Sequence, residues 1–177
     1  MTFPADGAAR LFNLVVRGLA FEHGHLLVSR WVDGYCFPIG GRVNHGESLE
    51  EAVLREFCEE TGVTASLRRM VYFHENFFLD ASSNWVHEFG WFYWLECPSP
   101  PLALGEVRPH PDHPDLRLAY IPLDLLDRAQ LLPDFLVQCL PEDHARDFSG
   151  PVRHFVSRQR PDGLAATTEV VPDWGSA

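Results

Sequence analysis

Residues 41–63 read GRVNHGESLEEAVLREFCEETGV and hold six glutamates, three of which, Glu56, Glu59 and Glu60, fall within five positions. Ser48 followed by Glu51 has the spacing of a capping box, so a helix is expected to begin at Ser48 and to stop near Gly62. At about 100° per residue Leu49, Val53 and Phe57 form an apolar stripe. Glu50 and Glu51 point away from it, whereas Glu56, Glu59 and Glu60 overlap its edge around Ala52. The expectation is three carboxylates turned toward the body of the protein. At about 6 Å and an effective dielectric near 20, each such pair repels by about 3 kcal/mol. Arg55 neutralises one acid, and Glu47 competes for it. Hard divalent cations favour carboxylate oxygens, and Mg2+ suits a site completed by water and phosphate, so the crowding reads as a metal site. A solvated acidic helix face is the alternative. The position of the acids beside the stripe, and a preceding FPIGG whose backbone can approach a ligand closely, favour the metal.

Outward from this helix the chain reads as mixed strand and helix. LFNLVVRGLAF and HLLVSRW flank EHGH and are expected to form a hairpin, after which GYCFPIGG breaks regular structure. SLRRMVYFHENFFL and WVHEFGWFYWLE read as long strands joined by DASSN, and LRLAYIPL and VRHFVSR as later strands. Short helical pieces are expected at DLLDRAQLL and DFLVQCL. The proline-rich CPSPPLALGEVRPHPDHPD is a long loop of the kind that carries function. The expectation is an α/β single domain over 1–177, with a core of about 10–158, a mixed sheet covered by helices, and a weakly ordered tail over 159–177.

Composition bounds the function. Of 177 residues 46% are apolar and 22% charged, and the net charge of -11 opposes general binding to nucleic acid or an anionic membrane. All 14 basic residues are arginine, which removes mechanisms that need a lysine amine. Four cysteines without CxxC spacing read as reduced thiols. The opening MTFPADGAAR lacks a signal-peptide pattern and no apolar run reaches membrane-span length, so a soluble cytoplasmic protein is expected.

The segment resembles the Nudix box, G-x5-E-x7-R-E-U-x-E-E-x-G-U, where U is bulky and apolar. Gly41, Glu47, Arg55, Glu56, Glu59, Glu60 and Gly62 fill every fixed position; Phe57 stands where an aliphatic residue is more usual, and Val63 fits the last U. The resemblance implies a Nudix-type α/β/α sandwich and a hydrolase, dependent on Mg2+ (or Mn2+), that splits a diphosphate bond in a nucleoside diphosphate linked to another moiety. The small-molecule substrate would be a nucleotide sugar, ADP-ribose, a dinucleoside polyphosphate or a nucleoside triphosphate. By position, Glu56 and Glu60 resemble the principal metal ligands, Glu59 an additional one, and the Gly40 carbonyl a backbone ligand. Glu47 and Arg55 resemble the family's structural ion pair. Many relatives are dimers, so a homodimer is compatible with the resemblance.

A carboxylate takes the proton from the attacking water; Glu56 and Glu59 are candidates, as are Glu75, Glu88 and Glu106, of which Glu88 is preferred. Arg17, Arg30 and Arg42 are candidate phosphate partners. Tyr35, Phe37, Phe73, Phe77 and Trp91 are candidates to stack a base. Subgroup markers downstream of the box are absent: Phe78 and Leu79 stand where bacterial-type ADP-ribose hydrolases often carry proline, and Asp80 where diadenosine polyphosphate hydrolases often carry tyrosine. HPDHPD, 110–115, reads as an acidic loop at a pocket entrance rather than as a second metal site, because its prolines prevent helical register. The rival functions are a nucleotide-sensing module on the same fold, which would commonly lose box acids, and an isoprenoid-diphosphate isomerase, which needs a catalytic cysteine in another arrangement.

Overall fold

The computed structural model describes residues 9–32, 34–159 and 167–172. The expected helix is present as α1 (Leu49–Thr61). Ser48 Oγ accepts from the Glu51 N–H (3.2 Å), and the Glu51 carboxylate accepts from the Ser48 N–H (2.8 Å). Such a cap is worth about 1 kcal/mol. Gly62, in the left-handed region, ends the helix by donating its N–H to the Cys58 carbonyl (2.8 Å). Ala52, Val53 and Phe57 are fully buried, and burial of a phenylalanine of this kind is worth roughly 2–3 kcal/mol.

Ten strands flank this helix: β1 (Arg10–Leu19), β2 (Phe21–Glu22), β3 (His25–Trp31), β4 (Cys36–Pro38), β5 (Ser66–Leu79), β6 (Trp85–Glu96), β7 (Val107–Pro109), β8 (Leu116–Pro122), β9 (Arg153–Arg158) and β10 (Thr167–Val171). A short 3-10 turn (Leu123–Leu125) and a second helix, α2 (Phe135–Ala145), lie between β8 and β9. The first sheet runs β1-β6-β5-β9-β10 and is mixed, with β1 parallel to β6, β5 parallel to β9, and the other pairs antiparallel. The second runs β2-β3-β8-β7, with β4 on β3. Alternation along β5 and β6 loads both faces of the first sheet. Tyr93 and Leu95 join Val53 and Phe57 of α1, whereas Tyr72, Phe92 and Phe155 join Phe135 and Leu136 of α2. This is the α/β sandwich expected from the sequence.

Three local readings need correction. The expected hairpin joins only β2 and β3; β1 leaves it to lie parallel to β6, because its apolar side chains are needed against the first sheet. GYCFPIGG contributes β4 and opens a segment, 39–43, that runs antiparallel to β1 through Gly18 N–H to Ile39 O (2.7 Å) and Val16 N–H to Gly41 O (2.9 Å). The tail adds β10 to β9, while the rest of 160–177 lies outside the described residues except Pro172. No helix among the described residues is long and apolar enough to cross a membrane. The four cysteines are free thiols, two of them buried.

Candidate active site

The strand-like segment 39–43 brings two glycines against β1 and α1. Gly40 has φ +143°, and a Cβ built on it would stand 2.1 Å from the Val16 carbonyl oxygen. Its own carbonyl accepts from Arg17 Nη1 (2.9 Å), which also donates to Pro38 O (3.2 Å) and lies over the Phe37 ring. At Gly41 a Cβ would fall 2.5 Å from Glu56 Oε2. The Glu56 carboxylate thus occupies room that any side chain at Gly41 would fill.

Arg55 gathers the acids more widely than expected. Its Nε and Nη2 donate to the two oxygens of Glu47 (2.9 and 2.7 Å), and its Nη1 to Glu56 (2.8 Å) and to Glu59 (2.9 Å). Nη2 also donates to the Arg42 carbonyl, tying the glycine segment to the helix. The hydrogen bond from Arg55, aided by the Asn44 N–H, holds the Glu47 carboxyl down at about 2. Glu56 goes the other way: burial raises it, the Arg55 contact opposes this, and the charges of Glu60 and Glu59 add to the rise.

Glu60 is 6% exposed. Its Oε2 accepts from Ser29 Oγ (2.7 Å) and lies 2.9 Å from His110 Nε2, and its Oε1 accepts from the Gly40 N–H (3.1 Å). A buried carboxylate requires such donors, since its desolvation is otherwise uncompensated. Glu56 and Glu60 are therefore inward, as expected. Glu59 is not, with its side chain 54% exposed. It stands one turn beyond Arg55 on the solvent side, and a helical wheel gives its angle without showing that no neighbour covers it.

The oxygen-only donors, the Glu56 carboxylate seated over Gly41 and the adjoining Gly40 carbonyl fit a hard divalent cation. The acids are not drawn into one cage: among the described residues no group of three His, Cys, Asp or Glu stands ready to hold a metal. Glu56 and Glu59 share Arg55, while Glu60 turns to Ser29 and His110.

Beyond the Gly40 segment opens a cavity of about 450 Å³ lined by Arg17, Trp31, Tyr35, Phe37, His74, Asn76, Glu88, Asp134, Ser157 and Thr168, among others. Its size suits a small ligand. Arg17, Tyr35, Phe37 and Glu88 thus come together as candidates. Phe73, Phe77 and Trp91 do not: they lie on the opposite face, Phe73 stacked with Phe89 and Trp91, and Phe77 with His87. Glu75 shares that face, where His87 and His154 meet its carboxylate (2.9 and 3.0 Å), and Glu106 is exposed and caps the Ala103 N–H. Neither lines this cavity. Arg30 is exposed at a separate cleft with Arg117 and Val107, and Arg42 is exposed and brings its carbonyl, not its guanidinium, to the acids. A slightly larger cavity of about 480 Å³ lies between Tyr72, Asp143, Arg153 and β10; neither cavity is lined by a box acid, and only the first is joined to the glycine segment through Arg17.

Sequence reading misses the polar floor of the cavity. His74 is 3% exposed; its Nε2 meets Ser157 Oγ (2.8 Å), which in turn meets Thr168 Oγ1 (2.8 Å). A lone histidine in the apolar run of β5, in phase with Tyr72 and Asn76, is the one signal the sequence offers for it. Burial, with a smaller contribution from His154, lowers its pKa to about 4. Above the ordinary value of about 6.5 the ring is neutral whether the chain is folded or unfolded, so it adds no pH dependence there. As pH falls from about 6.5 to about 4, the unfolded chain takes the proton and the folded chain refuses it, so stability declines, by about 3 kcal/mol in all. Below about 4 both states are protonated and this contribution levels off. Denaturant unfolding of wild type and His74→Gln at pH 7 and pH 4 is expected to show a distinctly smaller loss in the variant; equal losses would exclude His74 as the source.

Residues 12–140 match the sequence profile of the NUDIX domain. A comparison with curated proteins gives no match. The fold is similar to that of a MutT protein from Bacillus halodurans (TM-score 0.65, 17% identity, covering 91% of this chain and 99% of that one). It is also similar to a Nudix hydrolase from Nitrosomonas europaea (TM-score 0.55, 12% identity, 82% and 78% covered) and to an ADP-ribose pyrophosphatase from Streptococcus suis (TM-score 0.51, 19% identity, 82% and 97% covered). Fold, box and profile agree on a class, an α/β sandwich with an acid-bearing helix. This chain belongs to the Nudix family.

Proposed function

We propose that the protein is a divalent-metal-dependent hydrolase of a diphosphate bond in a nucleoside diphosphate linked to another moiety. The observation that carries this reading is the half-buried Glu56, seated over Gly41 and sharing Arg55 with Glu59, one glycine segment away from the Arg17 cavity. Glu56, Glu59, Glu60 and the Gly40 carbonyl would hold Mg2+ or Mn2+. When bound, such an ion neutralises diphosphate oxygens and lowers the pKa of a bound water.

The chain's own groups supply the rest. The Glu56 carboxylate is the first candidate to take the proton from water as the water's oxygen bonds to phosphorus and the anhydride bond breaks. Glu88, on the cavity wall, is the second candidate for that proton. Arg17 orients the Gly40 carbonyl, and Tyr35 and Phe37 offer ring faces to a base in the cavity.

A panel of nucleoside triphosphates, ADP-ribose, nucleotide sugars and dinucleoside polyphosphates tests the reading. With Mg2+ or Mn2+, release of a nucleoside monophosphate from at least one member is expected, and chelation should abolish it. No turnover on any member with either ion would reject the proposal.

A further inference from the structure

The HPDHPD stretch repeats one local device. In each His-Pro-Asp the aspartate N–H turns back to the Nδ1 of its own histidine, Asp112 N–H to His110 (3.2 Å) and Asp115 N–H to His113 (3.3 Å). An accepting Nδ1 leaves the ring proton on Nε2. The proline fixes φ between the two partners, so the turn presents the Nε2–H outward at a set angle. The loop is closed at its base by the His110 N–H to Leu116 O (3.1 Å) and the Leu116 N–H to His113 O (3.2 Å).

The two rings then diverge. His113 lies edge-on to Trp31 (4.7 Å), a wall of the cavity. His110, with a side chain only 7% exposed, directs Nε2 at Glu60 Oε2 (2.9 Å). With the Ser29 hydroxyl and the Gly40 N–H, which both donate to it, Glu60 thus meets three partners from three separate segments. Ser29 and His110 fix the carboxylate relative to the second sheet and the β7–β8 loop, and the Gly40 N–H ties it to the residue whose carbonyl accepts from Arg17.

We propose that His110 is a positioning residue for the metal site: through the close contact of its Nε2 it holds the Glu60 carboxylate in the orientation from which that acid and the Gly40 backbone act together. The proposal rests on the hydrolase reading above, in which Glu60 is a ligand. Carboxylates that bind metals are themselves held by outer hydrogen bonds, whose loss typically costs tenfold or more in metal affinity.

Mn2+ binding to the metal-free protein, followed by the electron paramagnetic resonance signal of the free ion, tests it without reference to turnover. His110→Ala and the bulkier His110→Leu, both without a donor, are expected to bind Mn2+ about tenfold more weakly than wild type. His110→Gln, which retains an N–H donor, should recover most of the affinity. His113→Ala, whose wild-type ring touches Trp31 and not an acid, should leave it within about twofold. Unchanged Mn2+ affinity in both donor-free variants, even with a lowered melting temperature, would overturn the positioning role and leave the hydrolase reading standing. Weakening of the same size in His113→Ala would overturn it too, since the loop as a whole and not the Nε2 contact would then be responsible. A wild-type protein that takes up no Mn2+ would instead bring down the hydrolase reading and this inference with it.

Discussion

Glu56→Gln is expected to lower turnover by at least about a hundredfold while the protein stays folded. The substitution keeps the volume of the side chain, and its amide oxygen still accepts from Arg55 Nη1, so the contact at 2.8 Å and the packing over Gly41 survive. What is lost is the charge and the capacity to take a proton. Wild-type Glu56 carries both at a cost, because burial and the neighbouring Glu60 and Glu59 raise its proton affinity against the pull of Arg55. A group kept anionic against its own environment is the one whose neutralisation should stabilise the fold and disable the site. The rate on the best substrate of the panel and the melting temperature check this together. A near-normal rate would remove Glu56 from the chemistry; a collapsed melting temperature would make it a structural acid.

Gly40→Ala should act in the opposite way, on the fold first. The new Cβ would stand 2.1 Å from the Val16 carbonyl oxygen and 3.0 Å from the Arg17 Cα, both backbone atoms that no rotamer change can move. The φ of +143° adds strain for any residue with a Cβ. Relief requires parting residues 39–43 from β1 and breaking the bond from Val16 N–H to Gly41 O. Destabilisation of about 3 kcal/mol or more is expected. In a chain of this length that lowers Tm by roughly 10 °C. Thermal unfolding followed by circular dichroism reads it, and a Tm within about 2 °C of wild type would show that the segment is free to shift.

Much of the molecule is legible in its sequence. The boundaries of α1 follow from Ser48, Glu51 and Gly62, whose signals act within one turn of chain. The lengths of β5 and β6 follow from runs of β-branched and aromatic residues on either side of a polar turn. The box spacing points to Glu56, Glu60, Gly40 and the Glu47–Arg55 pair; in the structure Glu60 accepts from the Gly40 N–H and Arg55 pairs with Glu47, while Glu56 sits over Gly41. β10 reads instead as loose tail, because a short polar strand has no signature apart from the partner that receives it.

The site divides along the same line. Which acids crowd α1, and that they need a counter-charge, is determined by the sequence alone, because helical spacing turns residue number into angle. Which acid is buried, which is exposed and which aromatic reaches the cavity is decided only by the tertiary structure. Glu59 is left in solvent and Glu60 is enclosed because Ser29 and His110 arrive from elements 31 and 50 residues away. Phe37 meets the cavity and Phe73 does not because strand register, set by long-range pairing, assigns each side chain its face.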